Sequence, residues 1–366
     1  MLQSGRAYSL YIHVPFCTRK CDYCHFYVIP DKESHKKLYL EALRSELRTN
    51  KAEGNPVSLY FGGGTPSLLA PDAIAEIIDT IAPPSTCEIT LEANPETVSQ
   101  TRMEAFRAAG VNRISLGVQT FDSPLLGTLG RLHTADKARE AIMTTSEAGF
   151  DNISIDLMYD LPHQTVESWE RTLAEIRTLP ITHLSLYNLT IEPHTVFFKK
   201  RASLALPDEE TSLTMLQRAI ETLRLAGFGR YEISAFAKEG FYSRHNTGYW
   251  TGRPFLGLGP SAFSYWENRR FRNSANLNIY ARQIRAGVEP IDFEETLSPT
   301  ARLKEALAIR LRLLEPFDLP LNLPQETITS LQELQQQGLV TVEDNKISLT
   351  ERGTLFYDTV ATELIE

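Results

Sequence analysis

Cys17-Thr18-Arg19-Lys20-Cys21-Asp22-Tyr23-Cys24 sets three thiols in the spacing C-x3-C-x2-C, just after an apolar run, Tyr8 to Val14, that ends at Pro15. Three close thiolates can ligate a soft metal centre, and thiolates are the usual ligands of iron–sulfur clusters. A [4Fe-4S] cube needs four ligands, so this stretch leaves one iron open. Two blander readings stand beside it: free thiols on a loop, and a closed zinc site, which would need a fourth Cys or His. His25 adjoins Cys24 but points awkwardly for that role, and nothing in the sequence assigns it another.

Strand-like runs alternate with helix-like runs on either side of the repeats that follow. The apolar, β-branched or aromatic runs are Tyr8–Val14, Val57–Phe61, Glu88–Glu92, Arg113–Val118, Asn152–Leu157 and His183–Tyr187. Between them, Leu40, Leu43 and Leu47 share a helical face, as do Ile74, Ile77, Ile78 and Ile81 after Pro71. Gly110 and Gly149 stand where two helices should stop. Six β–α repeats with short links predict an α/β fold with a parallel sheet and right-handed crossovers. Six units suit a partial (β/α)6 barrel; periodicity alone does not separate that from an open doubly wound sheet.

The 366 residues suffice for one large domain and a smaller one. The division expected is 1–227 for the barrel, 228–296 for a capping segment and 297–366 for a separate C-terminal unit. Phe228 to Tyr265, rich in Gly and aromatic residues, reads as loop and short strands over one end of the barrel. The C-terminal unit reads as helix Ser298–Leu314, helix Pro324–Gln337, a hairpin of Gly338–Val342 and Lys346–Leu349 around Asp344-Asn345, and a last helix from Glu351. That order is winged-helix-like, a fold that often meets DNA. From Ser298 onward, however, six Lys/Arg face eleven Asp/Glu, and the whole chain carries a net charge of −9. Phosphate affinity needs basic residues, so no nucleic-acid partner is expected.

Met1 to Arg6 has no apolar signal core, and no run is long enough to span a membrane. Cys87 stands alone, and four cysteines in so long a chain do not make a disulfide scaffold. A reducing cytoplasm is the compartment expected.

Gly62-Gly63-Gly64-Thr65-Pro66 directly follows the second strand. Glycines there allow close backbone approach to a ligand, or simply a tight turn. Glu92, Gln119, Asp156, Asn188 and Thr190 all fall at or just after the C-terminal ends of strands. In β/α barrels that rim binds ligands. Polar groups gathered there suit a ligand with an ammonium, a carboxylate, a ribose and a sulfonium.

The cysteine spacing resembles the cluster motif of the radical SAM superfamily, in which S-adenosyl-L-methionine chelates the open iron. Tyr11-Ile12-His13-Val14-Pro15-Phe16-Cys17, the Gly-rich string, Ser115-Leu116-Gly117-Val118-Gln119, Gly130-Arg131-Leu132-His133 and Ile155-Asp156-Leu157-Met158-Tyr159-Asp160-Leu161-Pro162 are similar to the coproporphyrinogen dehydrogenase (HemN) group. The resemblance spans nearly the whole chain. It implies a cluster on Cys17, Cys21 and Cys24, and S-adenosylmethionine contacts at Tyr11, Gly63, Gly64, Thr65, Glu92, Gln119, Arg131 and Asp156. It also implies Tyr23 near the adenine, with Thr190 placed by spacing only.

Two features separate the branches of that group. The dehydrogenase pattern has a further cysteine two residues after the third, where this chain has Phe26, and a longer N-terminal extension. Both departures match the HemW branch, the haem chaperones. His245-Asn246-Thr247-Gly248-Tyr249-Trp250 resembles the H-N-x-x-Y-W string linked there to haem. Imidazole is a common haem ligand and aromatic rings pack a porphyrin face; taken alone, His245 is more often a hydrogen-bonded structural histidine. Cys87 and His194 are alternative ligands. The resemblance thus implies a protein that holds haem, passes it to an acceptor haem protein, and takes electrons from a donor for its cluster. Oxygen-independent coproporphyrinogen III dehydrogenase is the alternative activity. A nucleic-acid-directed radical SAM enzyme is a third, against which the acidic C-terminal unit counts.

Overall fold

The computed structural model describes residues 7–49 and 54–365; Met1–Arg6, on which the expectation of no signal peptide rests, lie outside them. Six strands, β1 (Tyr8–Val14), β2 (Pro56–Gly63), β3 (Glu88–Ala93), β4 (Arg113–Gln119), β5 (Ile153–Tyr159) and β6 (His183–Asn188), lie side by side, all parallel. Helices α1 (Glu33–Thr49), α2 (Pro71–Ile81), α3 (Gln100–Ala108), α4 (Ala135–Glu147) and α5 (Val166–Glu175) make the crossovers, and α6 (Glu209–Leu225) follows β6. Gly110 and Gly149, at φ +102° and +90°, close α3 and α4 in the left-handed region that glycine enters freely.

Alternation along each strand sets the two faces. Ile12, Phe61, Leu91, Leu116, Ile155 and Leu184 belong to the apolar core under the helices. The residues between them, such as Tyr11, Tyr60, Glu92, Ser115, Asp156 and Ser185, are polar or aromatic and face inward. Residues of β2 to β6 line one common cavity. At the ordinary strand spacing five flat strands would spread those side chains over about 19 Å, so the sheet is curled into a partial barrel.

The segment 228–296 departs from its expected role. β7 (Gly229–Glu232) and β8 (Ala235–Ala237) add antiparallel strands beside β6. On the opposite edge β9 (Phe255–Leu258) runs parallel to β1, and β10 (Phe263–Trp266), β11 (Arg269–Asn273) and β12 (Ile291–Thr296) continue antiparallel from it. The segment therefore extends both margins of one open sheet, ordered β12-β11-β10-β9-β1-β2-β3-β4-β5-β6-β8-β7 among the described residues. β7 to β11, of three to five residues, are too short to show a period. Gly257 is one reason the run looked loop-like: a Cβ there would collide with the Phe263 carbonyl oxygen. From this segment, among the described residues, α7 (Arg244–Trp250) lies across an end of the barrel. It lies at the N-terminal ends of the strands, where the backbone N–H groups of Arg244 and His245 donate to the Glu88 carboxylate at 3.2 and 3.1 Å.

On the sheet's far side α8 (Leu277–Arg285) packs on α1. The C-terminal unit has its own core of Leu307, Leu311, Leu331, Leu334, Ile347 and Val360. Its helices α9 (Pro299–Arg310) and α10 (Gln325–Gln336) precede a hairpin, Val340–Glu343 and Lys346–Leu349, joined by Asp344 and Asn345 at φ +49° and +61°. Phe317–Asp318 adds a third strand. The first helix ends at Arg310 rather than Leu314, because the next residues bridge to β7: Leu314 N donates to Tyr231 O at 3.1 Å. The last helix is broken at Phe356 into Glu351–Leu355 and Tyr357–Ile365. Arg312 fastens this unit to the barrel, its guanidinium 4.4 Å from the Trp250 ring centre and 5.0 Å from that of Tyr357. No helix among the described residues is long and apolar enough to cross a membrane.

Candidate cluster and cofactor site

The cysteine loop leaves β1 at Pro15 and is pinched at its neck, where Phe16–Cys17 pairs with Ile29–Pro30. Two backbone bonds seat it on the barrel: Asp22 N donates to Leu129 O at 3.1 Å, and Phe197 N to Asp22 O at 3.0 Å. The three cysteines are half-buried and share one cavity of about 420 Å³. Cys17 Sγ lies 3.6 Å from Thr65 Oγ1, and Arg131 Nη1 donates to Cys21 Sγ at 3.6 Å. Burial first, and then the neighbouring sulfurs, push the Cys17 thiol up to about 11 and raise that of Cys24. Left alone these thiols keep their protons; a cationic iron centre is what would draw them off. The three thiols on one cavity are a donor set of the kind that iron–sulfur clusters use. Cys87 cannot join them: it is buried at the start of β3, its Sγ donating to Glu88 O at 3.6 Å.

The Gly-rich turn locks β2 to this loop. Gly64 N donates to Val14 O at 2.9 Å and Thr65 N to Phe16 O at 2.7 Å. A Cβ on Gly64 would stand 2.6 Å from Phe16 O; Gly63, at φ +110°, would put one 2.5 Å from the His13 ring. The atoms that first forbid a side chain here are therefore the protein's own, although both glycines line the cavity.

Two carboxylates face the cavity from its floor. Glu92 Oε1 accepts from Tyr60 OH at 2.8 Å and Oε2 from Gly63 N at 3.1 Å. Burial raises Glu92 to about 7, with the Asp156 charge adding to the effect, and burial raises Asp156 to about 6. Each carboxylate is open to the cavity on one side and enclosed by protein on the others. Neighbouring acids held this way are matched to a cationic ligand. Gln119, at φ +67°, lies at the end of β4.

The structure brings Tyr23, Gly63, Gly64, Glu92, Gln119, Arg131, Asp156 and Thr190 to the walls of this cavity together with the three cysteines. Tyr11 and Thr65 stand behind the walls. Tyr11 OH meets His13 Nδ1 at 3.1 Å, and Thr65 Oγ1 accepts from Asn94 Nδ2 at 2.9 Å. Arg131 is spent largely on the protein, reaching Asn94 Oδ1 at 2.7 Å besides Cys21. Asn188 turns away to Asp160 Oδ2 at 3.3 Å. Asn94, Ser115, Gly117, Met158, Tyr187 and Glu192 also line the cavity. Ser115 and Gly117 share strand parity with Gln119, and Met158 with Asp156, which is the signal that could have found them.

The radical SAM superfamily model matches residues 11–176, and the HemN C-terminal domain model matches residues 297–356. A heme chaperone HemW of Lactococcus lactis is 34% identical over 358 residues, covering 94% of this chain and 94% of that one. The chain belongs to the HemW family of radical SAM proteins. Radical S-adenosyl methionine domain-containing protein 1, mitochondrial, of Danio rerio is 30% identical, covering 98% of this chain and 86% of that one. Among solved structures, coproporphyrinogen III oxidase (HemN) from Escherichia coli, a radical SAM enzyme, matches with a TM-score of 0.87 and 25% identity, over 99% of this chain and 90% of that one.

In this HemW-family chain the H-N-x-x-Y-W string forms α7, far from the cysteine loop along the strands. His245 is 1% exposed. Its Nδ1 meets Ser58 Oγ at 2.9 Å and its Nε2 meets Tyr249 OH at 2.8 Å. Burial, and then Arg253 and Arg113, push its imidazole down to about 3, so it stays neutral. Both nitrogens are taken, so in this conformation His245 offers an axial ligand to nothing. Tyr249 also meets the Phe255 ring edge-on at 4.6 Å, Trp250 lies under Arg312, and Asn246 is half-buried on the same helix. Cys87 is enclosed as well, whereas His194 is exposed outside the cavity wall.

Proposed function

We propose that this chain is a haem chaperone: it holds haem and passes it to an acceptor haem protein. In this reading it carries a [4Fe-4S] cluster on Cys17, Cys21 and Cys24, with S-adenosylmethionine in the adjoining cavity and electrons from a separate donor. The observation that carries the reading is the 34% identity, over 94% of both chains, to a heme chaperone. Phe26, where the dehydrogenase pattern has its extra cysteine, supports the same branch. When bound, the cluster and S-adenosylmethionine supply one-electron cleavage chemistry; the chain's own residues position the pair. Glu92 and Asp156 would take the cationic groups of the ligand, Tyr23 would face its adenine, and Arg131 would steady the charge at Cys21.

The carboxylates give this a pH signature. The ionised acid attracts the cation, so affinity for S-adenosylmethionine is full above the Glu92 value and is lost as pH falls through about 7 and then about 6. For one group titrating near 7, binding should weaken about tenfold between pH 8 and pH 6. Equilibrium dialysis checks this. Glu92→Gln should bind more weakly at pH 8 and flatten the profile; an unchanged profile would take Glu92 out of the ligand's reach.

The likeness to the HemN structure favours one rival, coproporphyrinogen III dehydrogenase activity. Anaerobically reconstituted protein offered haem or coproporphyrinogen III separates the two. Haem binding without turnover is the expected result. Formation of protoporphyrinogen IX would overturn the chaperone reading in favour of the dehydrogenase.

A further inference from the structure

His13, His133, His183 and His245 are each at most 5% exposed, and each uses both ring nitrogens in hydrogen bonds. His35 bonds Pro30 O through Nδ1 at 3.1 Å. His163 and His194 are exposed but lie outside the cluster cavity's wall. His25 differs from all of these. It is exposed, it lines the mouth of that cavity, and no hydrogen bond holds its ring among the described residues. Its imidazole lies 4.5 Å from the Phe26 ring.

The surroundings of His25 also fit a flat, apolar, dianionic ligand. Phe26 is 54% exposed, although Lys20 Nζ fixes the loop by donating to Phe26 O at 3.0 Å. Covering a large aromatic ring is favourable, and this one stands at the cavity rim where a flat ligand could cover it. Arg19 and Lys20 share the same rim of the cavity, and Arg19 has no ion-pair partner among the described residues. Haem asks for an imidazole on iron, an apolar contact on the porphyrin face and cations on its propionates.

We propose that His25 is the axial ligand that receives haem at the rim of the cluster cavity, with Phe26 against the porphyrin and Arg19 and Lys20 on the propionates. The proposal rests on the haem-holding reading above and changes only the ligand assigned to it. His245 then has an architectural part, closing the far end of the barrel.

The test uses the full chain with its cluster reconstituted, so that the cysteines are occupied, and hemin as the probe. Losing an outer partner of a metal ligand already costs about 10–100-fold in affinity, so His25→Ala should bind hemin at least about tenfold more weakly and shift the Soret band. Added imidazole should restore the band, and His25→Tyr should show the charge-transfer absorption of a phenolate ligand. The cluster absorbance should stay as in the wild type throughout. Identical Soret bands and affinities in the wild type and His25→Ala would overturn the assignment while leaving haem holding intact. So would an axial-ligand spectrum that changes only in His245→Ala with its unfolding midpoint preserved. If the wild type itself fails to bind hemin, the haem-holding reading falls and this proposal falls with it.

Discussion

Cys17→Ala, Cys21→Ala and Cys24→Ala should each lose the cluster, with iron and sulfide after anaerobic reconstitution falling to near background. Each cysteine supplies one of three thiolates converging on one cavity, whose lining includes no fourth cysteine. Cys87, the remaining cysteine, is buried at the other end of the strand set. Cys87→Ala should therefore keep full iron and sulfide content. The three losses should also be local. The loop is held by backbone bonds from Asp22, Ile29 and Asp31 that no cysteine side chain makes, so far-ultraviolet circular dichroism should match the wild type. A Cys24→Ala chain that retains its cluster would sink the assignment of these ligands.

Gly63→Val should be the most damaging single change in the Gly-rich turn, and it should act first on stability. A β-branched residue at φ +110° carries backbone strain of about 1–3 kcal/mol. Its Cβ would stand 2.5 Å from the His13 ring, and that ring cannot swing aside easily, since Tyr11 and Tyr27 O hold its two nitrogens at 3.1 and 3.0 Å. Overpacking of this kind adds about 1–3 kcal/mol, for a total of about 2–6 kcal/mol in urea unfolding. S-adenosylmethionine affinity should fall as a consequence. Gly117→Ala is the informative contrast. Its Cβ would meet Asn94, Arg131 and Gln119 side chains at 3.1 to 3.2 Å on the cavity wall, so it should narrow the site with little loss of stability. Normal stability in Gly63→Val with loss of ligand affinity alone would show that the turn serves the ligand rather than the fold.

The six barrel strands were legible because every second residue is apolar and the helices between them carry clean stripes. Tyr8–Val14 agrees at both ends, and β2 to β6 run one or two residues past the expected ends. Those added residues include Gly63 and Gln119, which turn at positive φ where apolar periodicity has already stopped. The sheet margins were hidden because β8 and β9 are three and four residues long and are recruited by pairing with β6 and β1 rather than by a pattern of their own. At the site, position at a strand end led to Glu92, Gln119 and Asp156, which line the cavity. It failed for Asn188, whose amide is drawn to Asp160. The H-N-x-x-Y-W string was visible as a string, but its depth was not. Nothing in six residues reveals that Ser58, more than a hundred residues earlier, is waiting for the His245 ring.

The register that sets Ile12 beside Leu258 has a consequence for how the chain is made. β1 leaves the ribosome well before β9, yet one of its edges is covered only when β9 emerges. At about 5–20 residues per second that wait is on the order of 12–50 s. Meanwhile a seven-residue strand with four aliphatic or aromatic side chains buried in the finished core presents an unpaired row of backbone groups, the usual template for pairing with the wrong neighbour. Covering of that edge is thus a late event in synthesis. A chain halted before Phe255 would display an open strand edge to the factors that survey nascent proteins, even with all three cluster cysteines already in place.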